Sequence, residues 1–132
     1  AVLPSCVWST EWDVTNGKLN LLVHQRSCDV PLGLPFNVTQ YATFLRMMAQ
    51  TTGLEPGTVS YSIKDAHIYV NQLDGIKEQI RRGEELEDLE APELWINPEI
   101  KDFYEFDNSR ELKDIKIRKY NHHGKISFPI AQ

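Results

Sequence analysis

The chain has 132 residues, of which 41% are hydrophobic, and this is enough to bury the core of one domain. Its 14 Lys and Arg residues against 19 Asp and Glu residues give a formal net charge of -5, which argues against a nucleic-acid or anionic-membrane surface as the main partner. The sequence has no apolar run of membrane-span length and no signal-peptide pattern at its start, so we expect a cytoplasmic protein.

Residues 8–24 predict an antiparallel hairpin. Apolar and polar residues alternate over residues 8–14, as in a half-buried strand, and Asn16 with Gly17 supplies the positive φ angles of a tight turn. The return strand covers residues 18–24. Such a pair brings Cys6 and Arg26 to the same end of the sheet.

The middle of the chain predicts a long buried helix and a further strand. Apolar residues recur at helical spacing over residues 36–52, and Gly53 follows where a helix end favours a left-handed residue. Residues 59–63 alternate as a strand, and the apolar run at 66–70 predicts that they continue together as one long, bent strand.

The last third predicts smaller elements. Residues 73–80 are typical of a short amphipathic helix that ends at Gly83, and the acidic stretch at 84–90 is expected to be a solvated loop. Short strands are expected at 94–96 and 114–118. The pattern as a whole predicts an α/β fold of the α+β type, with a mixed, mainly antiparallel sheet packed on the long helix.

Two cysteines are too few for a disulfide framework, and they form no CxxC motif, which also argues against a structural metal site. Cys6 can act as a nucleophile if a positive neighbour activates it, although a packed structural cysteine is the commoner case. Arg26 beside Ser27 combines a bidentate cation with a hydroxyl group, which suits phosphate.

Four other polar residues are candidates for chemistry or binding. Asp29 can serve as an acid or base, and Asn37, near the predicted start of the long helix, can be a cap or a ligand contact. His67 and Tyr69 lie two residues apart on a strand and therefore project on one face. Residues of these kinds are more often satisfied by core partners or by solvent, so on their own they indicate a polar cluster and no particular reaction.

Several motifs together resemble the thymidylate synthase family. Residues 25–37, QRSCDVPLGLPFN, resemble its signature, and residues 3–6, LPSC, resemble the segment around its nucleophile. Later segments are similar in register, namely GLEPG at 53–57, DAHIYVN at 65–71 and KISFPIA at 125–131. The resemblance covers essentially all of the chain. It implies that residues 1–132 are the C-terminal portion of a single thymidylate synthase domain whose N-terminal half is absent from this sequence.

The resemblance implies reductive methylation of dUMP to dTMP, with 5,10-methylenetetrahydrofolate as the donor of carbon and hydride and with no metal. Cys6 would add to C6 of uracil, and Arg26 would bind phosphate and stabilise the thiolate. Asp29 is expected to have a catalytic role and to contact the pterin ring, and Ala131 is expected to contact the folate. The tail, residues 125–132, would close as a lid over both ligands.

The same resemblance implies how dUMP is bound. Arg26 and Ser27 would hold the phosphate, Asn37 would read the pyrimidine edge, and His67 with Tyr69 would hold the 3'-hydroxyl. The parent enzyme would be a homodimer that pairs through its sheets, with arginines of the partner completing each phosphate site.

Two alternatives stay open beside thymidylate synthesis. A pyrimidine nucleotide hydroxymethylase would use the same cysteine and folate but let water capture the carbon. A non-catalytic nucleotide-binding or assembly fragment is the other, if the native chain is only this half, which alone is expected to be inactive. The chain also departs from the family pattern at Val7, Lys64 and Gln132, where histidine, glycine and an apolar residue are common.

Overall fold

The computed structural model describes residues 4–130. Its strands are β1 (Val7–Thr15), β2 (Lys18–Gln25), β3 (Cys28–Asp29), β4 (Glu55–Ile63), β5 (Ala66–His67), β6 (Glu93–Ile96) and β7 (Ile115–Arg118). Its helices are α1 (Val30–Thr52) and α2 (Leu73–Glu85), with single 3₁₀ turns at Val70–Gln72 and Phe103–Glu105. The α/β class predicted from the sequence is confirmed.

The main sheet has three strands in the order β1-β2-β4. Strands β1 and β2 form the predicted antiparallel hairpin, and Asn16 (φ 51°) and Gly17 (φ 77°) make its left-handed turn. Strand β4 returns parallel to β2 after the α1 crossover. Two small sheets complete the fold: β3 pairs with β5 in parallel, and β6 pairs with β7 antiparallel. Antiparallel pairing therefore does not predominate among the described strands, unlike the mainly antiparallel sheet that the sequence predicted.

The core lies between one face of β2 and the helix α1. Alternate β2 residues point to the same face of the sheet, and those that point to α1 are almost fully buried. The buried members of this cluster are Leu19, Leu21, Val23, Leu45 and Ala49. Truncating a leucine in such a core costs about 2–5 kcal/mol, so this contact fixes the position of the helix on the sheet.

Helix α1 begins six residues before its predicted start, at Val30 instead of Phe36. Asp29 is its N-cap and accepts a hydrogen bond from the Leu32 amide at 3.2 Å. Proline is tolerated in a first turn because the amide it lacks would have no helical partner there. The helix ends as expected at Gly53 (φ 69°), but it is buried on one face only, and Phe36 is 76% exposed.

Two other boundaries differ from the sequence-based expectation. The single bent strand predicted over 59–70 is wrong, because β4 ends at Ile63 and β5 pairs with β3 in a separate sheet. The amide of Cys28 donates to the Asp65 carbonyl at 2.8 Å, which holds this second pair in register. Helix α2 runs past Gly83 to Glu85, so the acidic stretch begins inside the helix. The predicted strands β6 and β7 are confirmed.

Candidate functional site

The open end of the β1–β2 hairpin brings Cys6 and Arg26 together, as the sequence predicted. The Arg26 amide donates to the Cys6 carbonyl at 2.8 Å. The Arg26 side chain continues the contact, since its Nε donates to the Ser5 carbonyl at 3.1 Å and its Nη2 to the Pro4 carbonyl at 2.6 Å. A bulge between Val7 and Ser9 adjoins this point. The guanidinium thus holds the cysteine loop while part of its donor fork stays available.

The two cysteines have opposite environments. Cys6 is a free, exposed thiol, whereas Cys28 is a free thiol with only 3% of its surface accessible. Burial is the main cause that raises the pKa of Cys28; a contact with the Gln25 side chain partly offsets this rise, and the nearby negative charge of Asp29 adds to it. A neutral, buried thiol is a poor nucleophile, so the reactive candidate is Cys6.

Asn37 lies about two turns inside α1, so it is not a helix cap. Its carbonyl accepts from the Tyr61 hydroxyl at 2.7 Å, and its side-chain Oδ1 accepts from Gln25 Nε2 at 3.2 Å. Burial raises the pKa of Tyr61 to about 12, with Tyr41 contributing, which keeps the phenol protonated as a donor. The network therefore holds both the backbone and the side chain of Asn37.

Asp29 sits where β3 passes into α1, and its carboxylate accepts hydrogen bonds from two neighbouring groups. Besides its capping bond, it accepts from Gln72 Nε2 at 3.2 Å (Oδ1) and 3.0 Å (Oδ2). The same Gln72 nitrogen donates to the Pro129 carbonyl at 3.3 Å, and Gln72 Oε1 accepts from the Tyr69 amide at 3.0 Å. Gln72 is 1% exposed. It joins the helix cap, the 3₁₀ turn and the tail.

The His67 and Tyr69 rings contact each other, although Tyr69 follows the end of β5 and does not lie on the predicted strand. Their ring centroids lie 4.9 Å apart in an edge-to-face arrangement, and His67 Nδ1 lies 3.4 Å from Asp65 Oδ1. In the β3–β5 pair, His67 lies opposite Asp29. The histidine–tyrosine pair is therefore connected to the start of α1 through backbone pairing.

A cavity of about 630 Å³ lies beside the first turns of α1 and not at Cys6. One wall is formed by Pro31, Leu32, Pro35 and Phe36, and the other by residues 124–128, where the tail begins. Phe128 packs over Gly75, where an added Cβ would lie 2.9 Å from ring Cδ1. Ala131, the other predicted folate contact, lies outside the described residues.

Sequence reasoning assigned no role to Gln25 or Gln72. Gln25 lies within the motif that carries the family resemblance, but a glutamine in an apolar strand gives no periodic signal. Gln72 follows the His67–Tyr69 segment and has no signal of its own. Both are buried by tertiary contacts, at 2% and 1% exposure.

The thymidylate synthase family model matches residues 1–132. The chain belongs to the thymidylate synthase family. It is 47% identical over 131 residues to thymidylate synthase of Clostridium beijerinckii, and 47% identical over 129 residues to thymidylate synthase 1 of Bacillus subtilis strain 168. These matches cover 99% and 98% of this chain but 48% and 43% of the relatives. The chain therefore spans about half the length of these curated thymidylate synthases.

The fold agrees with a solved member of the thymidylate synthase family. The structure of thermostable thymidylate synthase A from B. subtilis matches with a TM-score of 0.86 at 47% identity, over 97% of this chain and 43% of that one. Among residues 4–130, no three His, Cys, Asp or Glu side chains are grouped to hold a metal ion. Within the same part of the chain, neither helix has the length and apolar character needed to cross a membrane.

Proposed function

We propose that residues 1–132 are the C-terminal portion of one thymidylate synthase domain. The complete enzyme, defined here as this chain together with the N-terminal half that its relatives possess, converts dUMP to dTMP. The observation that carries the proposal is the exposed Cys6 thiol on a loop held by the Arg26 guanidinium. A soft sulfur nucleophile on a loop that is held in place is suited to conjugate addition to a pyrimidine.

In this reaction the Cys6 sulfur bonds to C6 of uracil, and the electron pair of the C5–C6 double bond moves towards C5 and O4. C5 becomes the carbon nucleophile, and the later loss of the C5 proton and cleavage of the Cys6–C6 bond restore the double bond and the free cysteine. 5,10-Methylenetetrahydrofolate supplies the one-carbon unit and the hydride when it is bound. Arg26 keeps the Cys6 loop in place and directs its remaining N–H donors to the dUMP phosphate, together with the hydroxyl of Ser27.

The sugar and the base are recognised by other parts of the chain. The His67 and Tyr69 side chains, in edge-to-face contact, receive the 3'-hydroxyl, which can both donate to and accept from such groups. Asn37 reads uracil through its amide, with oxygen accepting from N3–H and nitrogen donating to O4. The held position of Asn37 supports this role, because a fixed amide discriminates better than a free one.

The cavity beside α1 fits a reduced folate. Its walls at Leu32 and Phe36 are apolar, as a flat heterocycle requires, and the Asp29 carboxylate lies at the adjoining helix start, where it can accept from pterin N–H groups. The tail, residues 125–132 with Ala131, covers the folate and excludes water. Deleting residues 129–132 in the complete enzyme should abolish methyl transfer and leave dUMP affinity within about threefold. An equal loss of both would make the tail a structural element.

The resemblance to the family also underlies our proposals for the oligomeric state and the cellular location. We propose a homodimer that pairs through the face of the main sheet opposite α1 and receives phosphate-binding arginines from its partner. On that face Trp8 is 69% exposed, and its ring centroid lies 5.3 Å from that of His24 in a tilted arrangement. His24 Nε2 lies 2.7 Å from Glu11 Oε1. Two free thiols favour the reducing cytoplasm. Sedimentation of the complete enzyme tests the dimer, and a monomer under assay conditions would contradict it.

Product analysis tests the activity. The complete enzyme is incubated with dUMP and 5,10-methylenetetrahydrofolate, and the nucleotides are identified by mass spectrometry. We expect dTMP and dihydrofolate in equal amounts, and no turnover by the 132-residue chain alone. A hydroxymethylated nucleotide with tetrahydrofolate as the second product would instead identify the hydroxymethylase. Nucleotide binding without any product would identify the non-catalytic fragment.

A further inference from the structure

Gln25 is a buried polar side chain for which the proposed chemistry has no direct use. It is 2% exposed, at the end of β2 next to Arg26. Its Nε2 donates both hydrogens, to the Ser27 carbonyl at 2.9 Å and to Asn37 Oδ1 at 3.2 Å. Its Oε1 is buried without a hydrogen-bond partner among residues 4–130. An unpaired buried carbonyl costs about 1–3 kcal/mol, so stability alone does not explain this glutamine.

The orientation of the Gln25 amide is fixed by the backbone. The Ser27 carbonyl can only accept, so the amide group that faces it must be the nitrogen of Gln25. The second hydrogen of that nitrogen then requires an acceptor at Asn37, which is met by Oδ1. If the Asn37 amide turned over, two NH₂ groups would face each other. The carbonyl of Ser27 thus sets the orientation of Asn37 through Gln25.

We propose that Gln25 is a specificity-determining positioning residue, which favours uracil over cytosine by fixing the orientation of the Asn37 amide. The inference rests on the proposed function, in which Asn37 reads the pyrimidine. Oδ1 has a second lone pair for the N3–H of uracil, and Nδ2 is left to donate to O4. Cytosine presents an acceptor at N3 and a donor at position 4, so it pairs only with the turned amide. The preference therefore depends on a residue that acts through Asn37.

The variant Gln25→Glu should reverse the selection. A buried glutamate at this position stays protonated, and its single hydrogen donates to the Ser27 carbonyl. The oxygen that faces Asn37 can then only accept from Nδ2, which favours the turned amide that complements cytosine. Losing one buried hydrogen bond changes specificity about tenfold to a hundredfold, and we expect the dUMP/dCMP ratio of kcat/KM to fall by at least the upper figure. Gln25→Met removes the donor without imposing an orientation, so its ratio should fall by about tenfold.

The chain offers a matched control. Gln50 Nε2 also donates to two carbonyl groups, those of Asn97 and Ile100, at 2.9 Å each, but on the far part of α1. Gln50→Glu therefore imposes the loss of a similar pair of donors, at a partly buried position away from Asn37. The dUMP/dCMP ratio of kcat/KM, measured in one preparation, does not depend on the fraction of folded enzyme. We therefore expect Gln50→Glu to leave this ratio unchanged.

Two measurements test the inference. Competition assays on the complete enzyme with dUMP and dCMP give the dUMP/dCMP ratio of kcat/KM. If the parent turns over dUMP and this ratio is unchanged in both Gln25 variants, the role proposed for Gln25 is overturned. Absence of turnover by the parent would instead refute the proposed function. Side-chain amide exchange in the ¹⁵N-labelled 132-residue chain tests the hydrogen-bond relay independently of activity. The Gln25 amide should exchange at least tenfold more slowly than that of exposed Gln40, and equal exchange would refute the relay.

Discussion

Replacing Gln72 with glutamate should destabilise the protein in a pH-dependent way. Gln72 Nε2 donates to both carboxylate oxygens of Asp29, and the residue is 1% exposed. In Gln72→Glu an ionised carboxyl would face another carboxylate in a buried place. The introduced group therefore stays protonated, and as a neutral acid it can still donate one hydrogen to Asp29.

The cost follows from keeping that group neutral. The ordinary pKa of a glutamate is about 4.3, and each pH unit above it costs about 1.36 kcal/mol, which gives about 4 kcal/mol at pH 7 and about 1 kcal/mol at pH 5. The sign follows from linkage: the pKa of the introduced carboxyl is higher in the folded than in the unfolded state. Its stability contribution is therefore intact below about pH 4.3 and is lost as the pH rises towards the folded-state pKa.

Urea unfolding of the 132-residue chain and its variants at several pH values measures this difference. Gln40→Glu, on the exposed side of α1, is the matched control and should lie within about 0.5 kcal/mol of the parent at each pH. A difference between the parent and Gln72→Glu that stayed flat from pH 5 to 7, or remained below about 1 kcal/mol at pH 7, would refute the reasoning.

Three further predictions follow from other contacts. Iodoacetamide at pH 7 should label exposed Cys6 at least tenfold faster than Cys28. Because the pKa of Cys28 is raised, labelling of Cys28 should accelerate at higher pH. Equal labelling of the two cysteines by peptide mapping would contradict this. Gly75→Ala should displace the Phe128 ring and accelerate tryptic cleavage in the tail several-fold, whereas an unchanged rate would mean that the ring finds another position. In the complete enzyme, Asn37→Asp should shift kcat/KM from dUMP towards dCMP about tenfold to a hundredfold, and an unchanged preference would show that Asn37 does not read the base.

Local patterns in the sequence predicted the elements whose signals are local. The hairpin turn at Asn16 and Gly17 and the helix end at Gly53 require left-handed backbone, and these residues adopt it readily. The start of α1 was missed because Pro31 and Pro35 are typical of helix breaks. Pro31 lies in the first turn, where proline is compatible with a helix, and Asp29 caps that turn. Pro35 lies inside the helix, where it lacks the amide for one helical hydrogen bond, yet the helix continues through it.

The remaining features depend on contacts between distant parts of the chain. The division of β4 from β5 is decided by pairing of β5 with β3, which alternation of residues does not encode. The hairpin did predict the approach of Cys6 to Arg26, because antiparallel pairing is a local consequence of the turn. Gln25 and Gln72 acquire their partners only when α1 and the tail pack, so their positions become informative only in the folded chain.

The most direct test of the central claim replaces the two cysteines in turn in the complete enzyme and measures dTMP formation. We expect Cys6→Ser to lower the rate by at least about a thousandfold, because serine is a far weaker nucleophile at neutral pH. Cys28→Ser should keep the rate within about tenfold, since that buried thiol only packs. Parental activity in Cys6→Ser, or an equal loss in both variants, would contradict the assignment of Cys6 as the nucleophile.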